Sequence, residues 1–197
     1  MKLIVLSENT SVSESLEREH GLSVYIETAD HHILFDTGAG CIFKSNAEKL
    51  GVDLSKVDRL VISHGHFDHG GGLRTFLEVN SHAKIYLHKQ AFEAHYSKRT
   101  EGAAYIGLDQ TLLPNERFVF CGDDFAIDEN IEVFSRVKSK RLFPSCNATL
   151  LMKHDDDFVS DDFAHEQNLV IQQNGKTMLI AGCAHKGIVN IVDACKD

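Results

Sequence analysis

Proline is scarce, with two in 197 residues, and no Gly/Ser-rich or low-complexity stretch takes its place. No linker therefore divides the chain, and a single domain over 1–197 is expected. Long apolar runs are missing too. The N-terminal "LIVL" meets "SEN" after four residues, too short for a signal peptide or a membrane span. Cysteine is limited to five, Cys41, Cys121, Cys146, Cys183 and Cys195, with no CxxC pair. An odd set without pairing logic reads as reduced thiols of a cytoplasmic protein and excludes a disulfide framework. Positive charge is the minority, 20 Lys and Arg against 29 Asp and Glu, for a formal net charge of -9. That balance argues against nucleic acid or an anionic membrane surface as partner and leaves a small-molecule substrate as the expectation. No GxSxG or paired Cys/His arrangement of a serine or cysteine hydrolase is present.

What the chain has in abundance is histidine, twelve in all, and apolar segments with clear periods. "KLIVLSE", "LSVYIET" and "HHILFDTG" read as three strands, the last two forming a hairpin across Ala29-Asp30. "CIFKSNAEKLGV" has helical spacing, with Ile42, Phe43, Ala47 and Leu50 on one face and Gly51 as a stop. "VDRLVIS" is a short strand, "GGLRTFLEV" a helix and "AKIYLHK" a further strand. The stretch 90–114 is less regular, with helical spacing at "KQAFEAHY". The second half runs through "ERFVFCG", "NIEVFSRV", "ATLLMK" and "NLVIQQNGKTMLIAG" to a closing helix, "HKGIVNIVDACKD". In that run Asn-Gly suits a two-residue type I′ turn. Alternating strands and helices indicate an α/β fold.

The chemistry concentrates in "SHGHFDHGGG", 63–72. His64 and His66 lie two apart just past a strand end, so both imidazoles can face one side; Asp68 and His69 follow as the next helix begins. Imidazole and carboxylate suit zinc, with manganese or iron as alternatives. Four such groups on one short loop fit two ions better than one tetrahedral ion. Gly70, Gly71 and Gly72 allow close backbone approach.

"SHGHFDHGGGL" resembles the HxHxDH signature of the metallo-β-lactamase-fold superfamily, "LFDTG" its early aspartate motif and "GCAHKGIVNI" its third, single-histidine motif. "EHGLSVYIE", "NAEKLGVDL" and "HEQNLVIQ" add similarity to one subgroup. Its named member is an archaeal dihydropteroate-synthase-like enzyme, joining a dihydropterin to a ribofuranosyl-aminobenzene phosphate. The resemblance implies an αββα sandwich of two mixed β-sheets with metals at one edge. Carried over by position, His64, His66 and His185 would hold a first divalent ion, while Asp68 and His69 would begin a second site. Asp68 would also orient the attacking water or accept its proton. Asp36 would orient the loop or a ligand by hydrogen bonds; on its own residues it reads equally as a plain turn aspartate. The family pattern continues beyond this point, through "GGFHL"-like and "HCTG"-like segments that supply the remaining ligands and closing strands. The expectation is therefore a truncated form with its C-terminal strands missing, a second metal site short of its remaining ligands, and an open sheet edge that invites association, for instance as a homodimer.

The resemblance implies a metal-dependent hydrolase acting on an ester or phosphoester-type substrate. The alternatives are a pterin-diphosphate-dependent transferase and a non-catalytic metal-binding form. Lactam hydrolysis does not follow from the superfamily's name. An electron-transfer diiron protein of this fold is disfavoured, because such proteins carry glutamate where this chain has His66. Other features read blandly. "RVKSKR", 136–141, is a solvated strand end balanced by the acidic "DDDFVSDD", and "HEQN" is a turn before a strand more readily than an acid/base pair of His165 and Glu166. His20 lines the pocket or lies on the surface with equal ease. Cys183 is expected to pack in the sheet, and His82, His88 and His95 to be ordinary surface or core residues.

Overall fold

A computed structural model describes residues 1–11, 13–138 and 141–196. Six strands make the first sheet, in the order β1 (Lys2–Ser7), β2 (Ser23–Glu27), β3 (His32–Phe35), β4 (Arg59–Val61), β5 (Lys84–His88) and β8 (Phe118–Cys121). The first three run antiparallel, and β3, β4, β5 and β8 are parallel, so this sheet is mixed as expected. Of the parallel pairs, β3–β4 and β4–β5 are joined through helices α1 (Ile42–Lys49) and α3 (Leu73–Val79), the crossover that parallel pairing demands, while β5 reaches β8 through the long segment 89–117. Gly51, at φ 70°, follows α1 as the predicted stop, although Leu50 is left half-exposed.

The second sheet has the order β14 (Lys176–Ile180), β13 (Asn168–Gln173), β10 (Ile131–Phe134) and β9 (Asp124–Ala126). All its described pairings are antiparallel, because each follows from a hairpin or a returning chain. The β13–β14 turn is Asn174-Gly175, both at positive φ, as a type I′ turn requires. A third, smaller sheet was not expected: β12 (Asp157–Ser160), β11 (Leu150–His154), β6 (His95–Arg99) and β7 (Gly102–Tyr105). It replaces the helix expected at "KQAFEAHY". Ala91 and Phe92 do pack on the main core, but eight residues are too few for a helix to persist unless tertiary contacts support it, and His95 is instead recruited into a strand.

Residue alternation sets the layers. Leu34, Leu60 and Ile62 face α1 and α3, packing with Phe43, Ala47 and Phe76. Their neighbours Ile33, Phe35 and Val61 point the other way, against Ile131, Val133, Leu169 and Ile171 of the second sheet. Val170 and Phe134 emerge on the far side and bury Ile191 of α4 (Ile188–Lys196). Helix, sheet, sheet, helix is the αββα order. Strands covered on both faces read as unbroken apolar runs, which is why "ILF" and "LVI" show no polar alternation. None of the described helices is long and apolar enough to cross a membrane.

Candidate metal centre

The loops that carry the motif histidines gather where parallel strands β3 and β4 end. Asp36 follows β3, and Ser63 and His64 follow β4. Short helix α2 (Phe67–Gly70) then brings Asp68 and His69 back over the same edge. Gly71 and Gly72 permit this return. A Cβ on either would stand 2.3–2.4 Å from a carbonyl oxygen of the 37–40 loop, closer than any side chain allows.

Asp36 is fully buried, at φ 59°. Its Oδ1 accepts from Ser63 N at 2.6 Å, and its Oδ2 accepts from Ser63 Oγ at 2.7 Å and meets His69 Nδ1 at 2.6 Å. The hydroxyl's only proton goes to Asp36, so the 2.8 Å contact between Ser63 Oγ and His64 Nδ1 is a donation by the ring. His64 therefore carries its proton on Nδ1 and has a free lone pair on Nε2. The same logic fixes His185. Asn147 Nδ2 donates to the His185 carbonyl at 2.7 Å, so its Oδ1 is the acceptor facing His185 Nδ1 at 2.9 Å, and His185 Nε2 is likewise unprotonated. Phe163 stacks on the His185 ring, 4.4 Å between centroids and 9° from parallel.

The segment 165–168 ties the motifs together. His165 Nδ1 accepts from Gly65 N at 2.8 Å. Glu166 accepts from His185 N at 2.6 Å and Lys186 N at 2.8 Å. Gln167 donates to Ile62 O at 2.8 Å and Tyr86 O at 3.2 Å. His165 and Glu166 are thus braces on separate backbones and do not form an acid/base pair. Burial raises the Glu166 pKa, against the two amides that favour its charge.

Among the buried side-chain atoms without a hydrogen-bond partner are Nε2 of His64, His66 and His185, and their ring centroids lie 4.6–5.1 Å apart. An unsatisfied buried imidazole nitrogen costs about 1–3 kcal/mol, and the free Nε2 lone pairs of His64 and His185 fit a cation, with the His66 ring beside them. Burial, reinforced by the neighbouring imidazoles, lowers His64 well below the ordinary value and His185 to about 3. Burial also lowers His66, against the pull of Asp161. All three rings are accordingly neutral near pH 7, as metal ligands must be. His69 differs: burial opposes its charge, but the Asp36 carboxylate more than offsets this and raises its pKa well above the ordinary value.

Ligand-capable atoms within 4.8 Å of one another form three sets: His64 with Asp68 and His69; His64 with Cys183 and His185; and His66 with His95, Asp161 and His165. Of the expected residues, Asp68 and His69 on one side and His185 on the other are linked only through His64, which belongs to both sets, whereas His66 turns its Nε2 toward Asp161, 3.7 Å away. Cys183 does not pack in the sheet. It lies exposed past β14, with Sγ 3.1 Å from His69 Nε2. His95 and Asp161 gave no signal in the sequence, one lying in an apparent helix and the other in an acidic run. His88 is buried away from these sets, and His82 is exposed. His20 is exposed, yet its Nε2 reaches Asp68 Oδ2 at 3.3 Å. These two side chains, His69 and Cys183 line an open pocket of about 220 Å³. A larger depression of about 530 Å³ surrounds His31 and Asp128 at the opposite end of β3, away from the cluster. Of the basic run, Arg136 pairs with Asp124 and Arg141 with Asp193, both acids outside "DDDFVSDD"; Ser139 and Lys140 lie outside the described residues.

Comparison with known proteins accords with this geometry. The family model of the metallo-beta-lactamase superfamily matches residues 16–187, and the chain belongs to that superfamily. It is 31% identical to Tm1679, a metal-dependent hydrolase of the beta-lactamase superfamily, whose crystal structure superposes with a TM-score of 0.81 over 98% of this chain and 70% of that one. The uncharacterized protein MJ0448 of Methanocaldococcus jannaschii is 30% identical over 96% of this chain and 72% of its own length. From the same organism, the 7,8-dihydropterin-6-methyl-4-(beta-D-ribofuranosyl)-aminobenzene-5'-phosphate synthase is 26% identical over 98% of this chain and 70% of its own.

Proposed function

We propose that this chain is a metal-dependent hydrolase acting on small ester or phosphoester-type substrates. The observation that carries this reading is the group of partnerless, buried imidazole nitrogens beside an open pocket with a carboxylate in its wall. His64, His66 and His185 would hold one divalent ion, zinc being the best match to an all-imidazole set. Asp68 and His69, with Cys183 in reach, are the donors for a second. When bound, such ions supply Lewis acidity and activate water for attack on carbonyl or phosphorus.

The chain's own groups supply the rest. Asp68 Oδ2, in the pocket wall, accepts a proton from the attacking water, and His20 at 3.3 Å carries it toward solvent. Asp36, through Ser63, and Asn147 hold His64 and His185 in the tautomers described above, which keeps their lone pairs directed inward. Burial of the rings under Phe163 excludes bulk water from their outer edges.

The test is turnover of p-nitrophenyl acetate and bis-p-nitrophenyl phosphate by zinc-loaded protein, with and without chelator. Turnover abolished by chelator and restored by zinc is expected. Turnover that survives chelation, or none by a protein that retains zinc, would overturn the hydrolase reading. The second reading is a transferase that releases diphosphate from a pterin substrate, favoured by the 26% identity to the synthase along nearly all of this chain. It predicts metal-dependent product formation from a pterin diphosphate and an aminobenzene acceptor, without ester hydrolysis.

A further inference from the structure

Asp161 directly follows β12 and is buried. One of its oxygens, Oδ1, accepts from Phe163 N at 2.7 Å within its own turn. The other, Oδ2, faces three imidazoles: His95 Nδ1 at 3.0 Å, His165 Nε2 at 3.3 Å and His66 Nε2 at 3.7 Å. By distance alone these four side chains could enclose a cation. The protons decide otherwise.

A backbone amide can only donate, so His165 Nδ1, which accepts from Gly65 N at 2.8 Å, carries no hydrogen. Neutral His165 must then hold its proton on Nε2, the nitrogen that faces Asp161. A protonated nitrogen has no lone pair for an ion. The cluster is therefore a hydrogen-bonded hub with the carboxylate as its acceptor. His95 Nδ1, at 3.0 Å from that carboxylate, is a second donor. His66 Nε2 is buried, has no hydrogen-bond partner and looks onto the same oxygen. A lone pair there would face negative charge, whereas a proton there is attracted to it. The hub also reaches the main chain between the two motif histidines, because His165 holds Gly65. The fit is close: a Cβ on Gly65 would stand 2.3 Å from Ala91 O and 3.0 Å from His95 Nε2.

We propose that Asp161, backed by His95 and His165, is a positioning residue that keeps the proton of His66 on Nε2 and so presents its Nδ1 lone pair to the ion facing Nε2 of His64 and His185. The inference rests on the metal-binding reading above for its last clause only; the tautomers belong to the metal-free chain.

The test uses the full chain labelled with ¹⁵N-histidine, because two-bond proton–nitrogen spectra identify which ring nitrogen is protonated. In metal-free wild type the expected pattern is Nε2–H for His66 and His165 and Nδ1–H for His95. Asp161→Asn keeps an oxygen for Phe163 N but turns an NH₂ toward the imidazoles, so the His66 proton should move to Nδ1. Zinc affinity, measured by competition with a chromophoric chelator, should fall by about 10–100-fold, the usual effect of losing a ligand's outer partner. A purely structural role would not move the tautomer. Three results would overturn the proposal: Nδ1–H on His66 in wild type, an unchanged zinc affinity in folded Asp161→Asn, or one zinc fewer per chain in His95→Ala, which would place an ion inside the hub. If wild type retains no zinc, the functional reading fails, and the wild-type tautomers alone decide the brace. They also decide it if Asp161→Asn does not fold.

Discussion

Two buried carboxylates brace the HxHxDH loop from opposite sides, and they do so differently. Asp36 works at hydrogen-bonding distance on three donors, the Ser63 amide, the Ser63 hydroxyl and His69, with contacts of 2.6–2.7 Å. Its place follows from the sheet. Phe35 pairs with Val61 in the parallel register, so the residue after Phe35 must meet the residues just past Val61. Asp161 reaches the loop by a longer route, from the edge of the third sheet, and meets three imidazoles at 3.0–3.7 Å. One brace is built by local strand pairing and favours a charged imidazole; the other is built by tertiary docking and orders several rings at once.

That difference predicts unequal costs. Asp36→Ala removes the carboxylate that keeps His69 charged and leaves the Ser63 amide, the Ser63 hydroxyl and His69 Nδ1 without their buried acceptor, and should lower stability by about 3–5 kcal/mol in urea denaturation. Asp161→Ala leaves buried ring and backbone donors unsatisfied and should cost about 1–3 kcal/mol. Equal costs, or the reverse order, would break the comparison. Next in size is Gly65→Ala, where a methyl group meets backbone and overpacking should cost about 1–3 kcal/mol. Gly122→Ala, with nothing within 4 Å, should leave the melting temperature nearly unchanged. Smaller still is Asn147→Ala. It frees the His185 ring to exchange tautomers, so zinc affinity should fall about tenfold, with little change in the urea midpoint of the metal-free chain.

The subtlest contrast is in pH. Metal-free His69 has a raised pKa. Its stabilisation is complete below the ordinary imidazole value of about 6.5 and is lost as pH rises through the higher folded value. His165, pushed by burial to about 3, does the opposite: its contribution is complete above about 6.5 and is lost as pH falls toward 3. Burial would raise the Asp161 pKa, but the facing nitrogens of His165, His66 and His95 more than offset this and hold it well below the usual carboxylate range. Stability profiles against pH should therefore flatten on the alkaline side in His69→Gln and on the acid side in His165→Gln. Flattening on the same side in both variants would refute the contrast.

The same contrast explains what can be read from the residues. The β13–β14 hairpin, the stop after α1 and the strand leading to His64 are legible because turn chemistry and period are local. Asp36 is legible as a candidate because it sits at a strand end in a motif, and only the structure shows the three contacts that separate it from a plain turn aspartate. His95, Asp161 and the contact of exposed Cys183 with His69 are not legible in this way. Nothing in an eight-residue apolar spacing, an acidic run or an offset of two reveals that these segments will dock on one site, since docking depends on the third sheet, whose central strands β6 and β11 pair over 50 residues apart. The segment "HEQN" shows the intermediate case. Its position before a strand is readable, but its four polar side chains are spent on other people's backbones, Gly65, His185, Ile62 and Phe134, which no spacing rule announces.

The most direct test of the account is zinc retention. Metal-free chain would be dialysed against zinc, washed through buffer and analysed for elements, beside His64→Ala and His95→Ala. The account predicts stoichiometric zinc in wild type, a clear loss in His64→Ala and no loss in His95→Ala. No zinc in wild type, or full retention in His64→Ala, would contradict it.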